Sequence, residues 1–145
     1  MTKQVYLVGF DGSEWSVRAA EQAVSLAEST GAKIKLIYAI RILLVPTLIG
    51  QSVAPPVYDH NEEEKRINNK VIKPIIEKFA AKNVHIEHEL IWGDPNEILT
   101  DCIKKEHADL LFVGRRGRSR ITDLLLGSVA NNLAHTINIP IVLVP

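Results

Sequence analysis

Between Asp109 and Val129 the chain reads DLLFVGRRGRSRITDLLLGSV, which sets two glycines, four arginines and a Gly-Ser pair behind one short apolar run. Glycine can adopt positive φ and leaves room for another group to approach the backbone, so Gly114 and Gly117 suit a loop that wraps a ligand. Gly127-Ser128 then opens a helical segment whose free N–H groups and dipole favour an anion. These residue types point to a phosphate cradle, with a nucleoside triphosphate as the natural ligand. Asp11, the lone early carboxylate, suits a ribose, because a carboxylate accepts hydrogen bonds from sugar hydroxyls without repelling phosphates held farther off.

The spacing is G-x2-G-x9-G-S, at Gly114, Gly117, Gly127 and Ser128. A P-loop requires Lys and Ser/Thr after its last glycine, and a dinucleotide fingerprint requires G-x-G-x-x-G after the first strand; neither is present. The stretch resembles the ATP-binding branch of the universal stress protein family, and the likeness extends through DGS near the start, LIYAI, GDP, the glycine loop and the closing PIVLV. That resemblance implies an open five-stranded parallel sheet in the order 3-2-1-4-5, a Rossmann-like α/β fold with helices on both faces. It also implies that Asp11 belongs to the nucleotide site, that backbone groups at Ala39, with Ile40 beside it, meet the adenine, and that Gly114, Gly117, Gly127 and Ser128 contact ribose and phosphates. ATP is the expected ligand, with AMP or ADP as variants and Mg2+ as companion. A homodimer through the last strand, Pro140 to Val144, follows from the same resemblance.

Each of these residues also has a plainer role. Single glycines make turns, and Asp11 alone suits a turn or a helix cap. Arg115, Arg116, Arg118 and Arg120 form either a solvated loop face or a group from which one side chain reaches phosphate. His85 and His88 differ by an odd number, so on a strand they face opposite ways and cannot share a metal. Cys102 falls on an apolar helical face and reads as core. Ser13 and Ser16 have no histidine beside them, and a capping role accounts for Ser13.

The elements that must position these groups alternate strand and helix. Val5–Val8 is a buried first strand ending in Gly9-Phe10-Asp11-Gly12-Ser13; Ser13 caps a helix reaching about Ser29, with Trp15, Ala19, Ala23, Leu26 and Ala27 on one face. Ile34–Ile42 is a second strand. Residues 43–60, with Pro46, Gly50, Pro55 and Pro56, form a long loop whose leucines either pack on the domain or make a lid or partner surface. Asn61 caps the next helix, which carries Ile67, Val71, Ile75, Ile76 and Phe79 and is kinked or split at Pro74. Val84–Trp92 is a third strand, with an edge-like polar face. Asp94-Pro95-Asn96-Glu97 starts a helix to about Glu106, Leu110–Val113 is strand four, a helix runs from about Gly127 to Thr136, and Pro140–Val144 is strand five. In that strand order the loops after strands one and four flank the reversal point, where ligands of such sheets sit.

At 145 residues the chain is expected to form one domain, residues 1–145. Seventeen basic and seventeen acidic side chains cancel, so no overall field draws it to nucleic acid or an anionic membrane. One cysteine excludes an internal disulfide and a thiolate cluster, and no run approaches the roughly 18 apolar residues of a membrane span. A soluble cytoplasmic protein is expected. Three functions fit: a nucleotide-dependent regulatory or stress-response module with slow ATP hydrolysis at most, a nucleotide hydrolase or transferase, and a nucleotide-free interaction module. The want of an evident catalytic base favours the first.

Overall fold

A computed structural model describes residues 2–41, 60–118 and 126–145. Five strands, β1 (Val5–Phe10), β2 (Lys33–Ile40), β3 (Ile86–Trp92), β4 (Leu110–Gly114) and β5 (Ile141–Val144), form one sheet in the order β3-β2-β1-β4-β5. Every neighbouring pair is parallel, the expected Rossmann-like arrangement. Parallel strands are buried on both faces, which is why they read as apolar runs. Along β1, Tyr6, Val8 and Phe10 join a core shared with α1 (Glu14–Thr30), α2 (His60–Ile67) and α3 (Lys73–Lys78). Leu7 joins the opposite core, built with α4 (Pro95–Glu106) and α5 (Ser128–Thr136). Side chains such as Leu7 and Leu133 are wholly buried, each worth roughly 1.5–3 kcal/mol of transfer free energy.

Helix starts follow their local chemistry. Ser13 Oγ accepts from the Ser16 amide at 3.2 Å, and Asp94 Oδ2 accepts from the Glu97 amide at 3.1 Å with Pro95 next in the chain. Gly31 ends α1 in the left-handed region, at φ 76°. β1 and β4 are aligned so that Gly9 pairs with Val113, which brings their carboxyl ends, and the loops that follow, side by side.

Several sequence expectations are corrected. The buried stripe of α1 is Ser16, Ala19, Ala20, Ala23, Val24 and Ala27, while Leu26 is 39% exposed. Alanines win that face because α1 lies close to the sheet. Asn61 is not a cap: α2 already includes it, beginning at His60. The break expected at Pro74 falls just before it: a π-helical turn, Asn68–Ile72, separates α2 from α3, and the Lys73 amide donates to Asn68 O five residues back. Proline lacks an N–H, and the wider turn places it in the first turn of α3, where none is required. β3 starts at Ile86 rather than Val84 and does lie at a sheet edge. Ile42, positions 43–59 of the expected long loop, and Arg120 lie outside the described residues.

Candidate functional site

The chain leaves β1 through Asp11, Gly12 and Ser13, and this turn is tightly knit. Asp11 Oδ1 accepts from the Ser13 amide at 2.9 Å, while the Asp11 amide donates to Ser16 Oγ at 3.3 Å. Ser16, only 3% exposed, also donates to Ser13 O at 2.9 Å, so its buried hydroxyl both donates and accepts. Gly12 has φ 82°, a conformation that costs other residues strain, and a Cβ there would lie 3.1 Å from Val71 Cγ1. The turn is thus pinned between α1 and the π-helical turn.

Asp11 Oδ2 reaches across the cleft and accepts from the Arg118 amide at 3.1 Å. A Cβ at Gly117 would fall 2.8 Å from this oxygen, so Gly117 is small because the carboxylate packs over it. The plain turn role of Asp11 and its place opposite the glycine loop therefore coexist. A carboxylate offers about four acceptor positions; two are used here and about two remain for a ligand.

The glycines answer to space rather than to twist. Among the described residues positive φ occurs at Gly12, Gly31, Gly93 and His107, not at Gly114 or Gly117, which corrects the expectation of left-handed loop glycines. At Gly114 a Cβ would meet Trp15 Cβ at 2.6 Å, Arg116 O at 2.9 Å and Trp15 C at 2.9 Å. At Gly127 it would meet Arg116 Cα at 3.3 Å and Arg115 O at 3.4 Å. The loop closes on itself through Arg115, whose amide donates to Val144 O and whose carbonyl accepts from the Gly127 amide, each at 2.7 Å. The Gly127 amide is therefore spent within the protein. The amides of Ser128, Val129 and Ala130 are the ones left over, because the first turn of a helix has no internal acceptor for them and Gly127 supplies no capping side chain.

Asp11, Ala39, Gly114, Gly117, Gly127 and Ser128 all line one cleft of about 470 Å3 at the carboxyl ends of β1, β2 and β4. Its floor is apolar, with Ile37, Leu99 and Val113, and its charged lining is Asp11, Arg41, Arg116 and Arg118. Among the described residues three positive groups against one negative leave an excess of two positive charges on the lining, in a chain whose formal net charge is zero. The Arg118 guanidinium lies 5.7 Å from the Tyr38 ring centre, within cation–π range. Burial pushes the Tyr38 phenol up, against the opposing pull of that guanidinium. Ser16 and Pro95 also line the cleft, although the sequence suggested only an unassisted hydroxyl and a helix start for them, and Arg41 and Leu99 were not assigned to the site from the sequence. Of the three described loop arginines, Arg116 and Arg118 reach the cleft lining and Arg115 does not. Cys102 is 5% exposed and burial pushes its thiol up, in keeping with a core residue. Among the described residues no helix is long and apolar enough to cross a membrane, and no group of three or more His, Cys, Asp or Glu could hold a metal ion.

Universal stress protein YxiE of Bacillus subtilis (strain 168) is 30% identical over 142 residues, covering 95% of this chain and 96% of that one. The structure of universal stress protein UspA from Lactobacillus plantarum superposes with a TM-score of 0.85 at 17% identity over the full length of both chains. A universal stress protein in complex with cAMP matches at 26% identity and a TM-score of 0.70, covering 100% of this chain and 98% of that one. The family model described as universal stress protein family matches residues 3–145. With the fold, the relatives and the family model in agreement, this chain belongs to the universal stress protein family.

Proposed function

We propose that the cleft binds an adenine nucleotide, ATP in the first place with AMP and ADP as variants, and that the protein is a cytoplasmic, nucleotide-dependent regulatory module of the stress response. The observation that carries this reading is the convergence on one cleft of Asp11, Ala39, Gly114, Gly117, Gly127 and Ser128, together with an excess of positive charge. The apolar floor suits a base, Ala39 backbone groups its edge, the spare acceptor positions of Asp11 a ribose, and the α5 amides with Ser128 Oγ the phosphates. The cAMP held by a structural neighbour supports the same ligand class. Mg2+ would arrive on the phosphate oxygens, since among the described residues Asp11 is the sole carboxylate on the lining and such cations seek oxygen ligands. That carboxylate is engaged by two backbone amides and no histidine lines the cleft among the described residues, which supports slow hydrolysis at most. Pairing of β5 with a second copy would give a homodimer, for which Leu143, 37% exposed on that edge strand, is the available apolar contact.

Titration calorimetry with ATP, AMP and cAMP tests the reading. One site per chain is expected, with the three ligands competing. No heat at millimolar ATP would overturn it, and sustained phosphate release at several turnovers per second would replace regulation with catalysis.

A further inference from the structure

We propose that Arg116 is the residue that reads phosphate, and that two glycines of the motif serve to seat it. Its backbone is wedged between them: Arg116 O lies 2.9 Å from a Cβ placed on Gly114, and Arg116 Cα lies 3.3 Å from one placed on Gly127. A larger residue at Gly114 would force the Arg116 backbone to shift, and one at Gly127 would press on it by a few tenths of an ångström, at a position on the cleft wall. Its Nε is buried and has no hydrogen-bond partner, an arrangement that a protein rarely leaves without an acceptor to come.

The other cleft arginines are otherwise placed. Arg118 is held over Tyr38, with its amide on Asp11, and Arg41 is exposed just beyond β2, near Ala39 at the expected base end. Arg115, whose Nε is likewise buried and unpaired, is absent from the lining. Among the described residues Arg116 alone joins an unsatisfied guanidinium N–H to a place on the cleft lining, and it sits beside Gly127, where the uncapped amides of α5 begin. A guanidinium presents a planar fork that matches two phosphate oxygens at once, which a lysine ammonium does not. Arg116 and the first turn of α5 together make a clamp for the nucleotide phosphate, so the site distinguishes a nucleotide from its nucleoside. This role rests on the nucleotide reading above and names the group that sets its charge preference.

Calorimetric affinities of the wild type, Arg116→Ala and Arg116→Lys for adenosine, AMP and ATP test it, with circular dichroism melts of each variant. The wild type is expected to favour AMP over adenosine. Arg116→Ala should weaken AMP and ATP by about tenfold or more, the value of a charge-assisted hydrogen bond, and leave adenosine unchanged. Arg116→Lys should recover part of the loss. If the alanine variant does not fold, Arg116→Gln, neutral and of similar length, carries the same expectation. Equal losses for AMP and adenosine would reduce Arg116 to a structural role, and unchanged AMP affinity would remove it from the site. A wild type that holds adenosine and AMP equally overturns the clamp while the nucleotide reading stands; one that holds neither these nor ATP overturns both.

Discussion

Gly114→Ala offers the sharpest check on how the glycine loop is held. The added methyl would lie 2.6 Å from Trp15 Cβ, 2.9 Å from Trp15 C and 2.9 Å from Arg116 O, so every close neighbour is backbone or the first atom of a side chain. None can swing away without moving α1 or the loop itself. Overpacking of this kind costs about 1–3 kcal/mol, and the rigid surroundings favour the upper end. Restricting the unfolded chain returns about 0.4–1 kcal/mol, which leaves a net loss of about 2 kcal/mol. At roughly 2–4 °C per kcal/mol for a chain of this size, the thermal midpoint should fall by about 4–8 °C. In urea the midpoint should drop with little change in slope, since the unfolded surface is the same. Gly31→Ala is the matched control: nothing lies within 4 Å, but φ is 76°, so the penalty is only the left-handed backbone, about 1 kcal/mol. A Gly114→Ala midpoint equal to wild type, or a smaller loss than at Gly31, would refute the steric account.

At Gly117 the same substitution should behave differently, because its close contact is Asp11 Oδ2, the far end of a side chain. Melting should shift less than for Gly114→Ala, while calorimetric affinity for ATP falls as the Asp11 bond to the Arg118 amide is displaced. Asp94→Ala removes the cap of α4 and should cost about 1 kcal/mol, near 3 °C in a thermal melt, with Asp94→Asn restoring most of it. Cys102, buried and with its thiol pushed up by burial, should react slowly with an aromatic disulfide reagent in the native protein and promptly in urea. Prompt native labelling would show that α4 opens readily.

The strands were legible because burial on both faces writes each one as a short apolar run, and the helices between them force parallel neighbours; their order came from the family resemblance. The glycine spacing and Asp11 were legible for a related reason: both follow a strand, and the sheet brings those strand ends together. What the sequence hides is distance. Leu26 falls at helical spacing yet faces outward, since alanines fit the gap that α1 leaves against the sheet. Asn61 before three glutamates looks like a cap until the helix begins one residue earlier. The proline marks a break in the helix without saying what form it takes; that the break is a π-helical turn, whose Val71 packs against Gly12, is seen only in the fold. Glycine permits either a twist or a close approach, and only coordinates tell that Gly114 and Gly117 use the second. The choice among adjacent arginines likewise needs their partners, not their spacing.

The two 2.7 Å bonds of Arg115 join Val144, on the outermost strand, to Gly127, the residue before α5. Neither amide can exchange with solvent unless that staple lets go. Deuterium uptake at Arg115 and Gly127 should then share one opening event, so whatever steadies the rim of the sheet also quiets the mouth of the cleft.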